Sequence, residues 1–352
     1  MTASVMREPR KILVIKLRYL GDVLLSTPVV SSLRAAFPEA FLSMLVNPGT
    51  EAMIAHNPHL DEALTVERSA SPLRQIRFAL ALRRRRFDLV IDLTDGDRAA
   101  ILSRITGAQT RVGFNREGLW RGGLYTHIVP VAQQPIPIIR QQLMALDLLG
   151  IPVVDSMPLL RTQPDDEVAA EEALARIGIE PGERFVTVHP GARYWFKSWP
   201  AERFAGLIDS VQGKLGMKVV LLGGDQDREI ERAILGRVGI SGGSLVGRLE
   251  VPELAALMRR ATLYVGNDNG AMHIAAAVGT PVVGLFGPSD PRVWGPAGQG
   301  HVTIFKGSDC RSCFLRGCER GEENCMRLIQ LDEVNTAVEQ VLMQPSKRAE
   351  RI

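Results

Sequence analysis

The sequence predicts an α/β protein built from two Rossmann-like domains, and three observations lead to this prediction. Short β-branched runs, of which residues 12–17 are the first, alternate with helical patterns, as in parallel sheets covered by helices. A second series of such runs begins at Phe185–His189. An acidic, helix-like segment, residues 164–183, lies between the two series and ends in a Pro-Gly turn. The 352 residues suffice for two domains of ordinary size.

The domain boundary is expected within this acidic segment. We assign residues 1–165 to a first domain, residues 175–330 to a second and residues 331–345 to a C-terminal helix. The predicted strands are 12–17, 40–46 and 89–93 in the first domain, and Phe185–His189, 218–222, 263–266 and 281–286 in the second. Ligands of open α/β sheets bind beyond the carboxyl ends of the strands. Functional residues are therefore expected there, with both sheets facing a central cleft.

Composition excludes several classes of protein. The net charge of +3 is too small to indicate a nucleic-acid partner. No run of about 18 apolar residues predicts a transmembrane helix. The polar N-terminus and the short strand after it do not form a signal peptide. A cytoplasmic protein is therefore expected.

The first candidate site follows the first strand and spans residues 16–23. Gly21 permits close approach of the backbone to a ligand. Asp22 falls in the first turn of a helix, where negative charge is favoured and a carboxylate can act as general base. Lys16 and Arg18 supply positive charge for an anionic acceptor. The alternative is that Asp22 only caps its helix.

The second candidate site, HPGARYWFKSWP, follows the strand Phe185–His189. Gly191 would let backbone N–H groups approach a phosphate, and Lys197 could neutralise its charge. The alternative is a loop whose aromatic side chains pack onto its own domain.

The third candidate site is the turn between a strand and a small-residue helix near residue 268. The free N–H groups at the start of this helix suit a diphosphate, with Asn269 and Gly270 in the turn. An outward carboxylate would repel that ligand, so we expect Asp268 to cap the helix or to bind sugar hydroxyls. His273 either meets the phosphate or sugar or is a buried structural histidine.

Two further charged features are open to more than one interpretation. Asp225 follows a strand that ends in two glycines, so it could hold a ribose diol or cap the next helix. The arginine run at residues 83–86 is either a solvated helix end or a contact to anionic lipid headgroups or glycolipid phosphates.

The cysteines are confined to one short segment with the spacing C-x2-C-x4-C-x6-C. Four clustered thiols can hold structural zinc, although only the first pair has the usual spacing. The alternative is a loop that simply covers the cleft. The cysteines are Cys310, Cys313, Cys318 and Cys325. No motif indicates a catalytic metal, and no cofactor is expected to be required.

These segments together resemble the ADP-heptose:lipopolysaccharide heptosyltransferases, glycosyltransferase family 9. The resemblance spans nearly the whole chain and depends on the number and order of its motifs, since each alone is weak. The motifs are KLRYLGDVLLSTPVVSSLR, RRRRFDLVIDL, RVGF, HPGARYWFKSWP, LLGGD and GNDNGAMHIAAAVGTPVVGLFGPSDP. The sequence is most similar to the branch that adds a later, side-branch heptose, heptosyltransferase III.

The resemblance implies a GT-B fold, an acceptor site in the first domain and an ADP-sugar site in the second. It also implies that the C-terminal helix returns to the first domain. The implied reaction is an inverting transfer of heptose from ADP-heptose to a lipid-linked oligosaccharide, the inner core of lipopolysaccharide, without a catalytic metal. The protein would meet this acceptor at the cytoplasmic face of the inner membrane, through peripheral contact.

The resemblance also assigns roles to individual residues. Asp22 would be the general base, while Lys197 and the turn 268–270 would handle the diphosphate and the sugar. Asp225 would bind the ribose, and Leu249 would lie near the adenine.

Three other functions remain as alternatives. A sugar-nucleotide epimerase of similar build would act on the donor without an acceptor. A non-enzymatic two-lobed sugar- or nucleotide-binding protein would be expected to carry an export signal and would not need Asp22 beside Lys16. A dinucleotide oxidoreductase is disfavoured, because the glycine fingerprint is missing after residues 12–17.

Overall fold

The computed structural model describes residues 8–68, 71–307, 313–314 and 317–343. The chain divides into two compact units, Met1–Arg161 and Thr162–Ile352. Each unit contains its own parallel sheet. The α/β class predicted from the sequence is therefore confirmed.

The first unit contains a six-stranded parallel sheet in the order β3-β2-β1-β4-β5-β6. Its strands are β1 Lys11–Lys16, β2 Phe41–Val46, β3 Glu62–Thr65, β4 Leu89–Asp92, β5 Thr110–Phe114 and β6 His127–Val129. Its helices are α1 Leu20–Leu24, α2 Thr27–Ala36, α3 Pro72–Arg84, α4 Asp97–Thr106 and α5 Ile138–Leu148. The central strands β1 and β4 are apolar and almost fully buried, as expected for strands covered by helices on both faces.

The second unit contains a five-stranded parallel sheet in the order β11-β10-β9-β7-β8. Its strands are β7 Phe185–His189, β8 Lys218–Leu221, β9 Leu263–Asn267, β10 Val282–Phe286 and β11 Val302–Phe305. Its helices are α6 Pro164–Arg176, α7 Ala201–Leu215, α8 Arg228–Leu235, α9 Val251–Arg260, α10 Gly270–Ala277, α11 Pro291–Trp294, α12 Cys325–Leu328 and α13 Leu331–Met343. A small antiparallel hairpin, Cys313–Phe314 with Gly317–Cys318, lies between β11 and α12.

The acidic segment that was expected to link the two domains is part of the second unit. Its helix α6 packs against α9. Glu167 pairs with Arg259 (2.6 Å) and Arg260 (3.4 Å), and Arg260 also pairs with Glu171 (2.6 Å). The division falls just before α6, between residues 161 and 162.

The C-terminal helix α13 differs from its prediction. It was expected to return to the first domain, but Val334, Val338 and Val341 lie in the hydrophobic core of the second unit. There α13 packs against α7 and the sheet. The reason is that its apolar stripe matches a sheet face that would otherwise be uncovered.

The zinc hypothesis stays a prediction. Cys310 lies outside the described residues, as does the side chain of Cys313. The hairpin register pairs the backbones of Cys313 and Cys318. In the described part of the chain, no helix has both the length and the apolar character needed to cross a membrane.

Candidate active site

Polar residues gather at the topological switch point of the first sheet. The strand order reverses between β1 and β4, so the loops beyond their carboxyl ends diverge and leave a crevice. Leu17 N donates to Thr94 Oγ1 (2.9 Å) and so ties the two strand ends together. The residues that the sequence assigned to an acceptor, Lys16, Arg18 and Gly21, lie at the end of β1 or directly after it.

Lys16 and Asp22 form an ion pair at this edge. Lys16 Nζ lies 3.2 Å from Asp22 Oδ1 and also donates to Leu93 O (2.9 Å). The lysine side chain is 5% exposed and the carboxylate 16% exposed. The residue at the N-cap of α1 is Tyr19, so the alternative that Asp22 caps its helix is wrong. Lys16 instead fixes the position of a carboxylate that still reaches solvent.

The loops after β1 and β4 each contain one residue with a strained backbone. Tyr19 and Asp95 have φ values of 37° and 54°, a region that residues other than glycine seldom occupy. The guanidinium of Arg18 lies over Gly96, which has no side chain to block it. Gly21 is buried within α1. Lys16, Arg18, Gly21 and Asp22 thus lie at the carboxyl edge of the first sheet, and their contact with an acceptor stays a prediction.

A buried carboxyl that the sequence analysis missed lies directly behind this edge. Asp92, at the end of β4, has no exposed surface. Burial raises its pKa to about 6, against hydrogen bonds from Tyr125 Oη (2.6 Å) and Thr94 N (2.8 Å) that lower it. The positive charge of Lys16 also lowers this pKa. The motif DLTDGD, residues 92–97, places three Asp residues at a strand end, but nothing in the motif indicated which of them is buried.

The second unit has an equivalent arrangement at its own switch point, between β7 and β9. Asn267 ends β9 without exposed surface. Its Nδ2 donates to Pro190 O (2.7 Å), and its Oδ1 accepts from Trp199 N (3.1 Å). This amide, which the sequence analysis did not single out, holds the loop after β7 against the end of β9.

Lys197 and Asp268 form an ion pair of 2.8 Å across these two loops. The side chains are 24% and 11% exposed. Asp268 was expected either to cap α10 or to bind sugar hydroxyls. The capping alternative is wrong, because the next residue, Asn269, occupies the N-cap and its side chain accepts from Met272 N. The lysine neutralises a carboxylate that would otherwise repel an anion at this helix start.

Asn269 is the N-cap of α10 and connects it to the loop after β7. Its Oδ1 accepts from Met272 N (3.0 Å), and its Nδ2 donates to Gly191 O (2.8 Å). The same Nδ2 lies 3.2 Å from His189 Nδ1, which must accept because an amide nitrogen only donates. Burial lowers the pKa of His189, consistent with a neutral ring.

Two other predicted residues of the donor site, Gly270 and His273, lie on α10. Gly270 is its first residue, and His273 lies one turn further, 5% exposed. The structure thus places His273 beneath the helix start. Contact with a phosphate or sugar stays a prediction.

Gly191 has a structural reason to be glycine. A Cβ at this position would overlap the carboxylate of Asp227, which is 6% exposed. Asp227 also accepts from Gly224 N (2.8 Å) and so links the ends of β7 and β8. Approach of a phosphate to Gly191 remains a prediction.

Asp225 lies at the first position of a 3₁₀ turn, Asp225–Asp227, with its side chain 81% exposed. Asp227 occupies the N-cap of α8, so the alternative that Asp225 caps this helix is wrong. Asp225 lies over Gly247, which has a φ of 66°. Leu249 follows two residues later and is half-buried. Asp225 thus lies near the turn that precedes Leu249, and a nucleoside contact of either residue stays a prediction.

Some aromatic side chains of the loop after β7 are buried and anchor the loop, whereas Trp195 is exposed. Trp199 has no exposed surface, and its Nε1 donates to Ile329 O (3.0 Å). Phe196 is also buried and stacks on Tyr194 with ring centroids 5.3 Å apart. Trp195 is 57% exposed. The loop is therefore anchored by its own aromatic residues, and this anchoring holds Lys197 in position.

Comparison with known proteins shows the family of the chain. The family model described as glycosyltransferase family 9 (heptosyltransferase) matches residues 75–323. Lipopolysaccharide heptosyltransferase 3 of Escherichia coli is 29% identical over 95% of this chain and 99% of its own length. Lipopolysaccharide heptosyltransferase 2 of Escherichia coli is 25% identical over 80% of this chain and 84% of its own length.

Solved structures share the fold. A glycosyltransferase of family 9 from Veillonella parvula has a TM-score of 0.83 at 24% identity, covering 96% of this chain and 98% of its own. The Escherichia coli heptosyltransferase WaaC with ADP has a TM-score of 0.71 at 18% identity, covering 94% and 99%.

Two Rossmann-like units, each with a parallel sheet, and the solved structures that share them assign the GT-B fold, and the family model makes the chain a glycosyltransferase. The chain belongs to glycosyltransferase family 9, the heptosyltransferases. Its similarity to heptosyltransferase 3 over nearly the full length is consistent with the predicted subfamily.

Proposed function

We propose that this protein transfers a heptose from ADP-heptose to a sugar of the lipopolysaccharide inner core, with inversion at the anomeric carbon. The observation that carries the proposal is the pair of charged sites at the two switch points, in a chain of family 9. One site holds a solvent-reaching carboxylate, as a base requires, and the other holds a lysine beside a helix start, as a diphosphate requires.

In the proposed reaction, Asp22 accepts the proton of an acceptor hydroxyl while that oxygen attacks the anomeric carbon. The bond between this carbon and the diphosphate breaks, and ADP leaves. Lys197 and the N–H groups at the start of α10 stabilise the charge that develops on the diphosphate. No step requires a metal ion. Arg18 binds an anionic acceptor beside the base, and Lys16, predicted for the same role, holds the base in place.

On the donor side, the exposed carboxylate of Asp225 suits a ribose diol, and Leu249 offers an apolar surface to adenine. Asp268 would accept hydrogen bonds from the sugar once the diphosphate takes over Lys197. Gly191 and Gly270 would offer backbone N–H groups to the anion, while Asn269 holds the loop after β7 against the start of α10. A lipid-linked acceptor would bring the protein into peripheral contact with the cytoplasmic face of the inner membrane.

The first prediction concerns the donor nucleotide. Calorimetric titration with ADP, UDP and GDP should show selective binding of ADP. Lys197→Ala should weaken ADP binding about tenfold or more, because a charge-assisted contact is lost and Asp268 is left unpaired. Adding Asp268→Asn to that variant should restore part of the affinity, because it removes the unpaired negative charge.

Lys218→Ala is the matched control, since Lys218 also forms a 2.9 Å ion pair but lies at the amino end of β8. Its ADP affinity should equal that of the wild type. A preference for UDP would overturn the donor assignment and point to another glycosyltransferase or an epimerase.

A further inference from the structure

Helix α3 has two apolar faces, of which only one is packed. Leu82 is 1% exposed, and Phe78 packs against the hydrophobic core of the first unit. On the other side, Leu73, Ile76 and Leu80 are 60%, 56% and 50% exposed. Their spacing of three and four residues places them along one stripe of the helix. Single exposed apolar side chains are common, but a continuous stripe indicates a binding surface.

Arginines border this stripe. Arg77 lies one helical turn after Leu73, and Arg84 lies one turn after Leu80. Within the described part of the chain, neither arginine forms an ion pair, whereas the neighbouring Arg85 is held by Glu62. The outer face of α3 is therefore both apolar and positively charged.

A cavity of about 530 Å³ lies at the C-terminal end of the stripe. Leu80, Arg83, Arg84 and Arg86 contribute to its walls. Arg83 spans part of it to donate to Ile105 O (3.4 Å). The cavity is large enough for a phospholipid headgroup, and three arginines against one carboxylate, Asp88, favour a phosphate.

We propose that α3 docks the protein onto a bilayer that contains anionic lipids. The stripe of Leu73, Ile76 and Leu80 enters the boundary between headgroups and acyl chains, and Arg77 and Arg84 contact lipid phosphates. This combination of an apolar face and flanking arginines is the pattern of a helix that lies in a membrane surface. A second copy of the chain is a poorer partner, because pairing two such faces would bring their arginines together.

The position of α3 relates the bilayer to the acceptor site. The chain leaves the carboxyl end of β3, which lies at the same edge of the sheet as Asp22, and α3 begins soon after. Arg98 holds the connecting segment through Val66 O (3.1 Å) and Glu67 O (2.7 Å). Docking would deliver a lipid-borne acceptor to this edge. That last step rests on the proposed function, whereas binding to lipid does not.

The test is flotation of the full-length protein with vesicles of phosphatidylcholine, with or without phosphatidylglycerol. The double variant Ile76→Ser with Arg77→Gln removes one apolar side chain and one charge from the docking face. The matched control is Leu235→Ser with Arg237→Gln, which likewise replaces one exposed aliphatic side chain and one arginine, but in the second unit. ADP titration of each variant monitors the donor site independently.

The wild type and the control should float with the phosphatidylglycerol vesicles and release at high salt. The α3 variant should bind these vesicles at least about fivefold more weakly, the loss expected for one arginine near a charged surface. Its ADP affinity should be unchanged. Equal binding to phosphatidylcholine alone, or equal loss in both double variants, would overturn the proposal. So would a wild-type dimer that Ile76→Ser with Arg77→Gln dissociates, because that result would make a second copy the partner.

Discussion

The position of Asp22 depends on a lysine that ends the preceding strand. Lys16 is one of few buried charged residues, and it contacts both Asp22 and the carbonyl oxygen of Leu93. A buried lysine is costly unless it is paired. The pairing therefore stabilises the fold locally and at the same time orients the carboxylate towards solvent, where an acceptor can bind.

Asp22→Asn should lower the rate of transfer at least about 100-fold, because an amide cannot accept the proton of the acceptor hydroxyl. ADP affinity and the circular dichroism spectrum should be unchanged. Asp147→Asn is a suitable control, since it also removes a carboxylate from an ion pair of the first unit, with Arg140 on the surface of α5. Turnover of Asp22→Asn equal to that of this control would refute the assignment of the base.

Asp92 should make stability depend on pH in the mildly acidic range. Burial raises its pKa from 3.8 to about 6, so folding favours the protonated carboxyl. Its contribution to the free energy of unfolding is fully present below about pH 4 and is lost as the pH rises through about 6.

Urea unfolding between pH 4 and 7.5 measures this contribution as the difference between wild type and Asp92→Asn, which cannot ionise. This difference in the free energy of unfolding should change by roughly 1.4 kcal/mol per pH unit between the unfolded pKa of 3.8 and the folded pKa of about 6. The total change should be a few kcal/mol at most. Tyr125→Phe removes a hydrogen bond that lowers the pKa of Asp92, so the loss of stability with rising pH should extend to higher pH. If the free energies of unfolding of wild type and Asp92→Asn differed by the same amount at every pH, Asp92 would not titrate in this range.

At the scale of elements, strands buried on both faces could be predicted and most strands at the edges of the sheets could not. The predicted strands correspond to β1, β2 and β4 in the first unit and to β7–β10 in the second. The missed strands β3, β6 and β11 are sheet edges with partly exposed residues, so they lack a continuous apolar run. β5 is interior, but Arg111 and Gly113 interrupt its pattern.

In the candidate site, too, local patterns could be predicted from the sequence, whereas contacts between distant segments could not. Single segments predicted where Asp22, Lys197 and Asp268 lie relative to strand ends, because a strand followed by a glycine-containing loop is a local pattern. The pair Lys197–Asp268 joins residues 71 positions apart, and only the strand order β9-β7 brings them together. The role of Asn269 as the N-cap was missed because two adjacent residues could each have capped the helix.

Helix α13 shows how an element can be predicted while its partner is not. The sequence predicted a C-terminal helix over residues 331–345, and the structure begins it at Leu331 and describes it as far as Met343. Periodicity defines a face that must be buried, but it does not name the surface that buries it. The core of the second unit provides that surface, through Leu207 and Val211 of α7 among others.

At the scale of the whole molecule, each unit has its own sheet and its own buried apolar residues. All proposed donor residues lie within Thr162–Ile352, so this unit should fold and bind ADP without the first. Expressed alone, residues 162–352 should unfold in one cooperative transition. Their Kd for ADP should lie within a few-fold of that of the full chain, because the ion pair of Lys197 and Asp268 is internal to this unit.

Two other fragments make this prediction specific. Residues 1–161 should show no ADP binding, since the base Asp22 and the acceptor residues do not contact the nucleotide in the proposed reaction. Residues 184–352 lack α6 and would expose the face of α9 that Glu167 and Glu171 cover through Arg259 and Arg260. That fragment should melt at a lower temperature than residues 162–352. Binding of ADP more than tenfold weaker by a folded 162–352 fragment would show that the first unit contributes to the donor site, and the division of roles between the units would have to be revised.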